Sequence, residues 1–293
     1  ALDDKQVRVK SSVSIGQWIR RSGEDVMLGA KVLQKGDRLT PASLGMAASV
    51  GLAQLQVTRP PRVALFSTGD ELVMPGAIAP DKMPVGSIYN SNRFFLRAML
   101  QRLGCEVTDL GVVPDQREAT VAALQSTAKQ HDLILTSGGV SVGEEDHIKP
   151  AVQTLGRLDL WQIAIKPGKP FAYGRVQDAH FIGLPGNPVS SFVTFLVLVR
   201  PFIQKLSGQV AHADDAMTPL QLIADFDWPA PDKRREFLRV KRNAEGHLSL
   251  FSNQSSGVLT SVTWADGLVD NPPGQVIKRG DRVTFWSLAS LMA

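Results

Sequence analysis

Small hydroxyls, glycines and carboxylates gather at a few points of this chain, in runs that suit a phosphate and its metal ion. Ser67, Thr68, Gly69, Asp70 and Glu71 close the apolar run VALF, and Asp115 follows LGVV and Pro114. Residues 137–146 read SGGVSVGEED, residues 166–170 read KPGKP, and residues 185–188 read PGNP. Ser137, Gly138, Gly139, Ser141 and Gly143 expose backbone N–H groups able to cradle a phosphate. Alone, such glycines could merely permit positive φ in a long loop. Glu71, Asp115 and Asp146 taken singly suit solvation or helix capping, Asp146 being a candidate N-cap for HIKPAVQTL. Placed together at one end of a sheet, they suit Mg²⁺ beside a phosphoanhydride, since that ion favours carboxylates and phosphate oxygens. Lys166 and Lys169 each precede a proline, Pro167 and Pro170, with Gly168 between. They read either as surface charges or as anion ligands held by fixed local geometry. Pro185-Gly186-Asn187-Pro188 reads as a strand-to-helix turn with Asn187 as N-cap and Pro188 at the first helical position.

The elements behind these runs follow from periodicity. From about Arg62 to Gly208, short apolar runs (VALFS, EVTDLGVV, DLILTS, LWQIAI, HFIGL) alternate with helical segments such as SNRFFLRAMLQRLG and REATVAALQSTAKQ. In the first helix Phe95, Met99 and Leu103 share a stripe. Such alternation implies right-handed crossovers and a mostly parallel sheet, whose ligands bind outside the carboxyl ends of the strands. Each chemical run above follows such a strand, so the acidic triplet and the two lysines are expected to converge on one cleft. The helix NPVSSFVTFLVLVRPFIQKLSG closes this region as a core element. Before it, residues 1–29 suggest short strands (QVRVK, SVSIGQWI), and residues 30–60 hold a helix that Thr40 caps and Pro41 opens. Beyond a polar linker, AHADDAMTP, alternating stretches (LQLIADF, FLRVKR, HLSLFS, VIKRGDRVTFWS) predict a small all-β domain at 209–293.

Composition narrows the classes. The chain has 293 residues, 43% hydrophobic and 20% charged, which suits about two domains with real cores. Lys and Arg number 32 against 28 Asp and Glu, without a basic block, so no nucleic-acid partner is expected. The single cysteine, Cys105, excludes an internal disulfide and reads as a packed thiol. No signal-peptide core opens the chain, and Phe192 to Val199 reads as too short to span a bilayer. The expectation is therefore cytoplasmic, with no membrane.

The ordered set STGDEL, SGGVSVGxxD, KPGKP and GLPGNPVS resembles the MoeA family of molybdopterin molybdotransferases, which includes the E domain of gephyrin and its plant counterpart. The similarity runs from about Val13 to the last strand. It implies an α/β fold: a three-layer, mostly parallel sheet of the MogA-like molybdopterin-binding kind at 61–208. Partial N-terminal domains flank it, a β-rich remnant at 1–29 and a helical part at 30–60, with a small β-barrel-like domain at 209–293. The implied activity takes adenylylated molybdopterin and molybdate as substrates, uses Mg²⁺, releases AMP and leaves molybdenum on the dithiolate.

Carried over by position, Glu71, Asp115, Asp146 and Lys166 match residues important for activity, with Asp115 and Asp146 as metal ligands. The Ser137 to Gly143 loop, the Ser67 to Asp70 turn, the KPGKP loop and the Pro185 to Asn187 turn match substrate-binding positions. Arg239, Ser255 and Ser256 resemble residues near a molybdate site, while Arg239 also reads as a strand residue facing solvent. Gln162 stands where some members carry lysine. The family has an N-terminal region ahead of where this chain begins, so the chain is expected to be a fragment. A homodimer is implied, as are a MogA-like adenylyltransferase and downstream cofactor-biosynthesis proteins as partners. The rival readings are a MogA-like adenylyltransferase and a pterin-binding scaffold without chemistry.

Overall fold

The computed structural model describes residues 5, 6, 8–140, 147–210 and 218–292. The chain divides into two compact units, residues 1–56 and 57–293. In the first, α1 (Pro41–Ser49) has Pro41 at its first position and a capping box in which Thr40 and Ser43 satisfy each other's backbone N–H groups. Turns occupy the described part of residues 5–29, and no strand forms there. The strands expected at QVRVK and SVSIGQWI are therefore absent among the described residues. A strand must pair its backbone with another, and no strand is described within this unit. Val13, Ile15, Trp18 and Ile19 stand exposed instead.

The second unit begins with β1 (Arg62–Thr68), then β2 (Leu72–Val73), β3 (Ile88–Tyr89), α2 (Asn92–Arg102), β4 (Glu106–Val113), α3 (Arg117–Ala128) and β5 (Leu133–Ser137). It continues through α4 (Ile148–Leu155), β6 (Gly156–Trp161), β7 (Ile165–Lys166), β8 (Ala172–Val176) and β9 (Ala179–Leu184). The main sheet has the order β4-β1-β5-β9-β8-β6. Its first four strands are parallel, and β8 and β6 add antiparallel at the far edge. HFIGL was read as a strand, but its antiparallel partner FAYGRV, which forms β8, went unread in the sequence. So did the break in LWQIAI, where Gln162 adopts φ 71 and ends β6. Every residue of β5 is buried, as helices on both faces require. Cys105 packs into the core, and burial pushes its thiol up to about 11.

Residues 188–206 form one continuous helical segment, α5 (Pro188–Thr194) and α6 (Arg200–Leu206), with a π turn at Phe195–Val199 between them. Pro201 explains the turn: it lacks an N–H, so the hydrogen-bond ladder shifts just before it. By length and hydropathy this segment could cross a membrane, contrary to the expectation for Phe192 to Val199. In this fold 61% of its apolar window is buried against the protein's own core.

The C-terminal part comprises β10 (Leu220–Ile223), β11 (Arg235–Arg242), β12 (Leu248–Leu250), α7 (Thr260–Trp264), β13 (Gly267–Asn271), β14 (Arg282–Ser287) and α8 (Leu288–Leu291). Its sheet runs β10-β14-β13-β11-β12, and an Ala224–Leu248 bridge joins the two edges into a barrel-like closure. Strand β7 leaves the α/β part to pair with β11. One hydrophobic cluster holds Leu65, Leu135, Phe192 and Leu196 from the α/β part and Phe237, Leu268 and Leu288 from the β part. Most of the polar linker expected at AHADDAMTP lies outside the described residues.

Candidate functional site

The carboxyl ends of β1, β4, β5 and β9 open onto a cleft of about 700 Å³. It is lined by Thr68, Gly69 and Glu71 after β1, Asp115 after β4, and Ser137, Gly138 and Gly139 after β5. Pro185, Gly186 and Asn187 complete it after β9. The topology explains this convergence: parallel strands place their following loops at one edge. Steric demands explain the glycines. Gly138 has φ +93, and a Cβ there would lie 2.5 Å from the Thr68 carbonyl oxygen. Gly69 has φ +139, and a Cβ would sit 2.5 Å from a Glu71 carboxylate oxygen, which folds back over the turn.

Asn92, at the start of α2, ties the loops together. Its side-chain amide donates to Ser137 Oγ at 2.8 Å and to the Gly186 carbonyl at 2.7 Å. Asn90 accepts from Arg93 N through Oδ1, while its buried Nδ2 has no partner among the described residues. Thr68 Oγ1 is likewise buried without a partner, and both residues line the cleft. Unsatisfied buried donors at a cleft wall are ready for a ligand. Asn90 and Asn92 escaped the sequence reading because SNRFF looks like a helix start and nothing more. Asn187 is the N-cap of α5 by backbone geometry, but its side chain makes no capping bond.

The lysines stand elsewhere. Lys166 and Lys169 do not line this cleft, so the expected convergence of all the charged groups holds only for Glu71 and Asp115 among the described residues. The reason is β7, which pulls Lys166 against β11 of the barrel. Lys166 Nζ lies 3.2 Å from Glu236 Oε1 and 3.4 Å from Asp232 Oδ2. Lys169 lines a second cavity of about 560 Å³ with Gln162, Asp232, Lys233 and Arg234. The 166–170 loop thus spans both spaces, since Pro170 borders the first. Pro167 and Gly168 are buried beneath it. Hydrogen bonds from Arg234 hold the Asp232 carboxyl well below the usual carboxylate range.

Asp70 is exposed and Ser67 is buried, both outside the cleft lining. Ser141, Gly143 and Asp146 lie outside the described residues. Among the described residues no group of His, Cys, Asp and Glu side chains forms a closed metal cage.

Arg239 corrects the solvent-facing reading, for it is 1% exposed. Its guanidinium donates to Ser261 Oγ, Phe237 O and Ser255 O, and among the described residues no carboxylate pairs with it. Burial lowers its pKa to about 10. Ser256 accepts a hydrogen bond through its carbonyl from Val189 N, in the first turn of α5, and neighbouring Gly257 lines the cleft. The QSSG run therefore bridges Arg239 and the cleft.

Comparison with known proteins fits this geometry. Residues 64–205 match a probable molybdopterin binding domain, residues 221–288 the MoeA C-terminal region (domain IV), and residues 2–51 the MoeA N-terminal region (domain I and II). A molybdopterin molybdenumtransferase from Haemophilus influenzae is 50% identical over 66% of this chain and 47% of its own length. Molybdopterin molybdenumtransferase 2 from Mycobacterium tuberculosis is 33% identical over 96% of this chain and 70% of its own. The chain belongs to the molybdopterin molybdenumtransferase (MoeA) family. Two structures of the MoeA protein from Pyrococcus horikoshii superpose on this MoeA-family chain with TM-scores of 0.73 and 0.75, at 29% and 25% identity. Both cover 90% of this chain, which in turn spans 64% and 63% of theirs. The chain thus spans between about half and seven tenths of the length of these MoeA-family relatives.

Proposed function

We propose that this chain carries the substrate cleft of a molybdopterin molybdotransferase, which takes adenylylated molybdopterin and molybdate and releases AMP. The observation that carries the reading is the cleft itself. It sets two carboxylates, Glu71 and Asp115, against a glycine turn and an uncommitted asparagine at a helix start. Gly139 offers a backbone N–H group to phosphate oxygens, while the N–H groups of Gly138 and Val189 are committed to Leu184 O and Ser256 O and fix the cleft wall. Thr68 Oγ1 and Asn90 Nδ2 offer buried donors to the remaining polar groups of the substrate.

The donor set suits Mg²⁺, which takes one or two carboxylates and completes its shell with phosphate oxygens and water. Asp115 and Asp146 would hold it, and bound there it would neutralise phosphate charge. Glu71 would add a third carboxylate from the neighbouring strand end, β1 lying beside β4, and favour the metal ion there. Lys166 would offset charge as the P–O bond breaks from beyond the cleft lining, its partly exposed side chain meeting an anion that extends past Pro170 of the same loop. Arg239 would receive molybdate. A guanidinium has five N–H donors, its three nitrogens each make one bond here, and no carboxylate balances its charge among the described residues. Ser255 and Ser256 sit beside it.

We further propose the division into parts at 1–29, 30–60, 61–208 and 209–293. The protein would act in the cytoplasm as a homodimer, with a MogA-like adenylyltransferase supplying substrate and later cofactor-biosynthesis proteins accepting product. The test is AMP release from adenylylated molybdopterin. It is expected to require molybdate and Mg²⁺ together and to be insensitive to added ATP. Consumption of ATP with molybdopterin would establish the adenylyltransferase reading instead. The Asp146→Asn variant is expected to bind adenylylated molybdopterin yet leave it uncleaved, and normal turnover there would remove Asp146 from the mechanism.

A further inference from the structure

We propose that Glu236 is the positioning residue for Lys166: a carboxylate buried in the C-terminal barrel that fixes the ammonium of the α/β part's loop lysine. The inference rests on the reading of Lys166 as the cation that offsets phosphate charge. The parallel pairing of β7 with β11 sets Glu236 directly in register with Lys166, and Arg235 N donates to Ala164 O at 3.1 Å just before it.

Glu236 is 1% exposed, although ionised carboxylates are seldom buried without partners. Its Oε2 accepts from Trp228 Nε1 at 2.8 Å and from Asp232 N at 3.0 Å, which locks the side chain. Its Oε1 has no hydrogen-bond partner among the described residues and faces Lys166 Nζ at 3.2 Å. Asp232 also approaches the ammonium at 3.4 Å, with both of its oxygens gripped by Arg234 at 2.9 and 2.8 Å. Glu236 is the nearer and the more deeply buried of the two charges, and no arginine bonds to its carboxylate among the described residues. The lysine side chain stays 42% exposed, free to meet an anion from its other side.

A long lysine stem loses much rotamer freedom when fixed, so a locked counter-charge pre-organises it before substrate arrives. The arrangement also makes the lysine's placement depend on the docking of two parts of the fold. A role confined to folding would instead use Glu236 only through Trp228 and Asp232 N. Gln at this position keeps those two bonds and removes only the charge.

The test is a double-mutant cycle in the full chain with Glu236→Gln and Lys166→Gln, read by steady-state AMP release from adenylylated molybdopterin. Glu236→Gln alone is expected to lower kcat about 10- to 100-fold with KM within about twofold, the scale of a misplaced catalytic group. In the Lys166→Gln background it is expected to change kcat by less than about twofold, because the interaction is already gone. Equal losses in both backgrounds would overturn the proposal.

A second arm needs no activity: trace acylation with acetic anhydride, read at the Lys166 and Lys169 peptides by mass spectrometry. Release from its carboxylate is expected to raise Lys166 labelling about threefold or more relative to Lys169; unchanged labelling sinks the inference. Glu236→Asp, which withdraws the charge by one methylene, serves the same comparison if the Gln variant does not fold. A wild-type chain that releases no AMP would remove the functional reading, while the labelling arm would still judge the placement of Lys166.

Discussion

Glu71 shows how little a residue's type says without its surroundings. It is an exposed carboxylate, yet it folds back over Gly69 at the mouth of the cleft. A group placed this way contributes to chemistry and little to stability. Glu71→Gln is therefore expected to cut AMP release about 100-fold while leaving the unfolding free energy within about 0.5 kcal/mol. Parallel kinetics and urea denaturation would check both, and a large stability loss would assign Glu71 a structural role. Arg239 is the opposite case: a strand position in an alternating run that tertiary packing buries completely. The motif residues Glu71, Asp115, Ser137, Gly138 and Asn187 were legible because chemistry constrains their types and spacing. Asn92 and Glu236 were not, because their roles come from contacts with residues 45 or more positions away or across a strand pair, and Asn90 was not, because only burial at the cleft wall sets its amide apart.

At the scale of elements, the start of the parallel sheet is held by Asp132, just before β5. Its carboxylate accepts two bonds from Arg59, at 2.6 and 2.7 Å, and one from Arg62 N at 2.8 Å. The hydrogen bond from Arg59 is the chief reason its pKa falls below the usual carboxylate range. A depressed carboxylate contributes stability above its unfolded value, near 4, and loses it as pH falls toward the folded one. Asp132→Asn is expected to cost about 1 kcal/mol at pH 7, discounted for the exposure of Arg59. The difference from wild type should shrink below about pH 4; denaturation at pH 7 and pH 3 measures it, and a gap that widens in acid would contradict the assignment. The parallel strands and their helices were readable from periodicity, since each carries its own pattern of apolar residues. Strand β8, β13 and the break at Gln162 were not, because pairing across a sheet edge leaves a weaker local signature.

For the molecule as a whole, the cores lie in residues 57–293. Every residue of the three buried clusters comes from that unit. One cluster is shared between the α/β part and the barrel, and β7 crosses from one to the other. A fragment of residues 57–293 is accordingly expected to fold and to unfold in one cooperative transition by calorimetry, with equal calorimetric and van't Hoff enthalpies. Two separated transitions would show that the α/β part and the barrel are independent.

Chain order alone settled the α/β alternation, the loops at the strand ends and the family, because these depend on local periodicity and on residues adjacent in sequence. Folding in three dimensions decided which charges meet. Lys166 follows a predicted strand like the others, but backbone pairing with a strand some 70 residues later draws it to Glu236 and away from the carboxylate cleft. Hydrogen bonding between strands takes no account of separation along the chain, so local pattern cannot forecast which strand a lysine will be pulled towards.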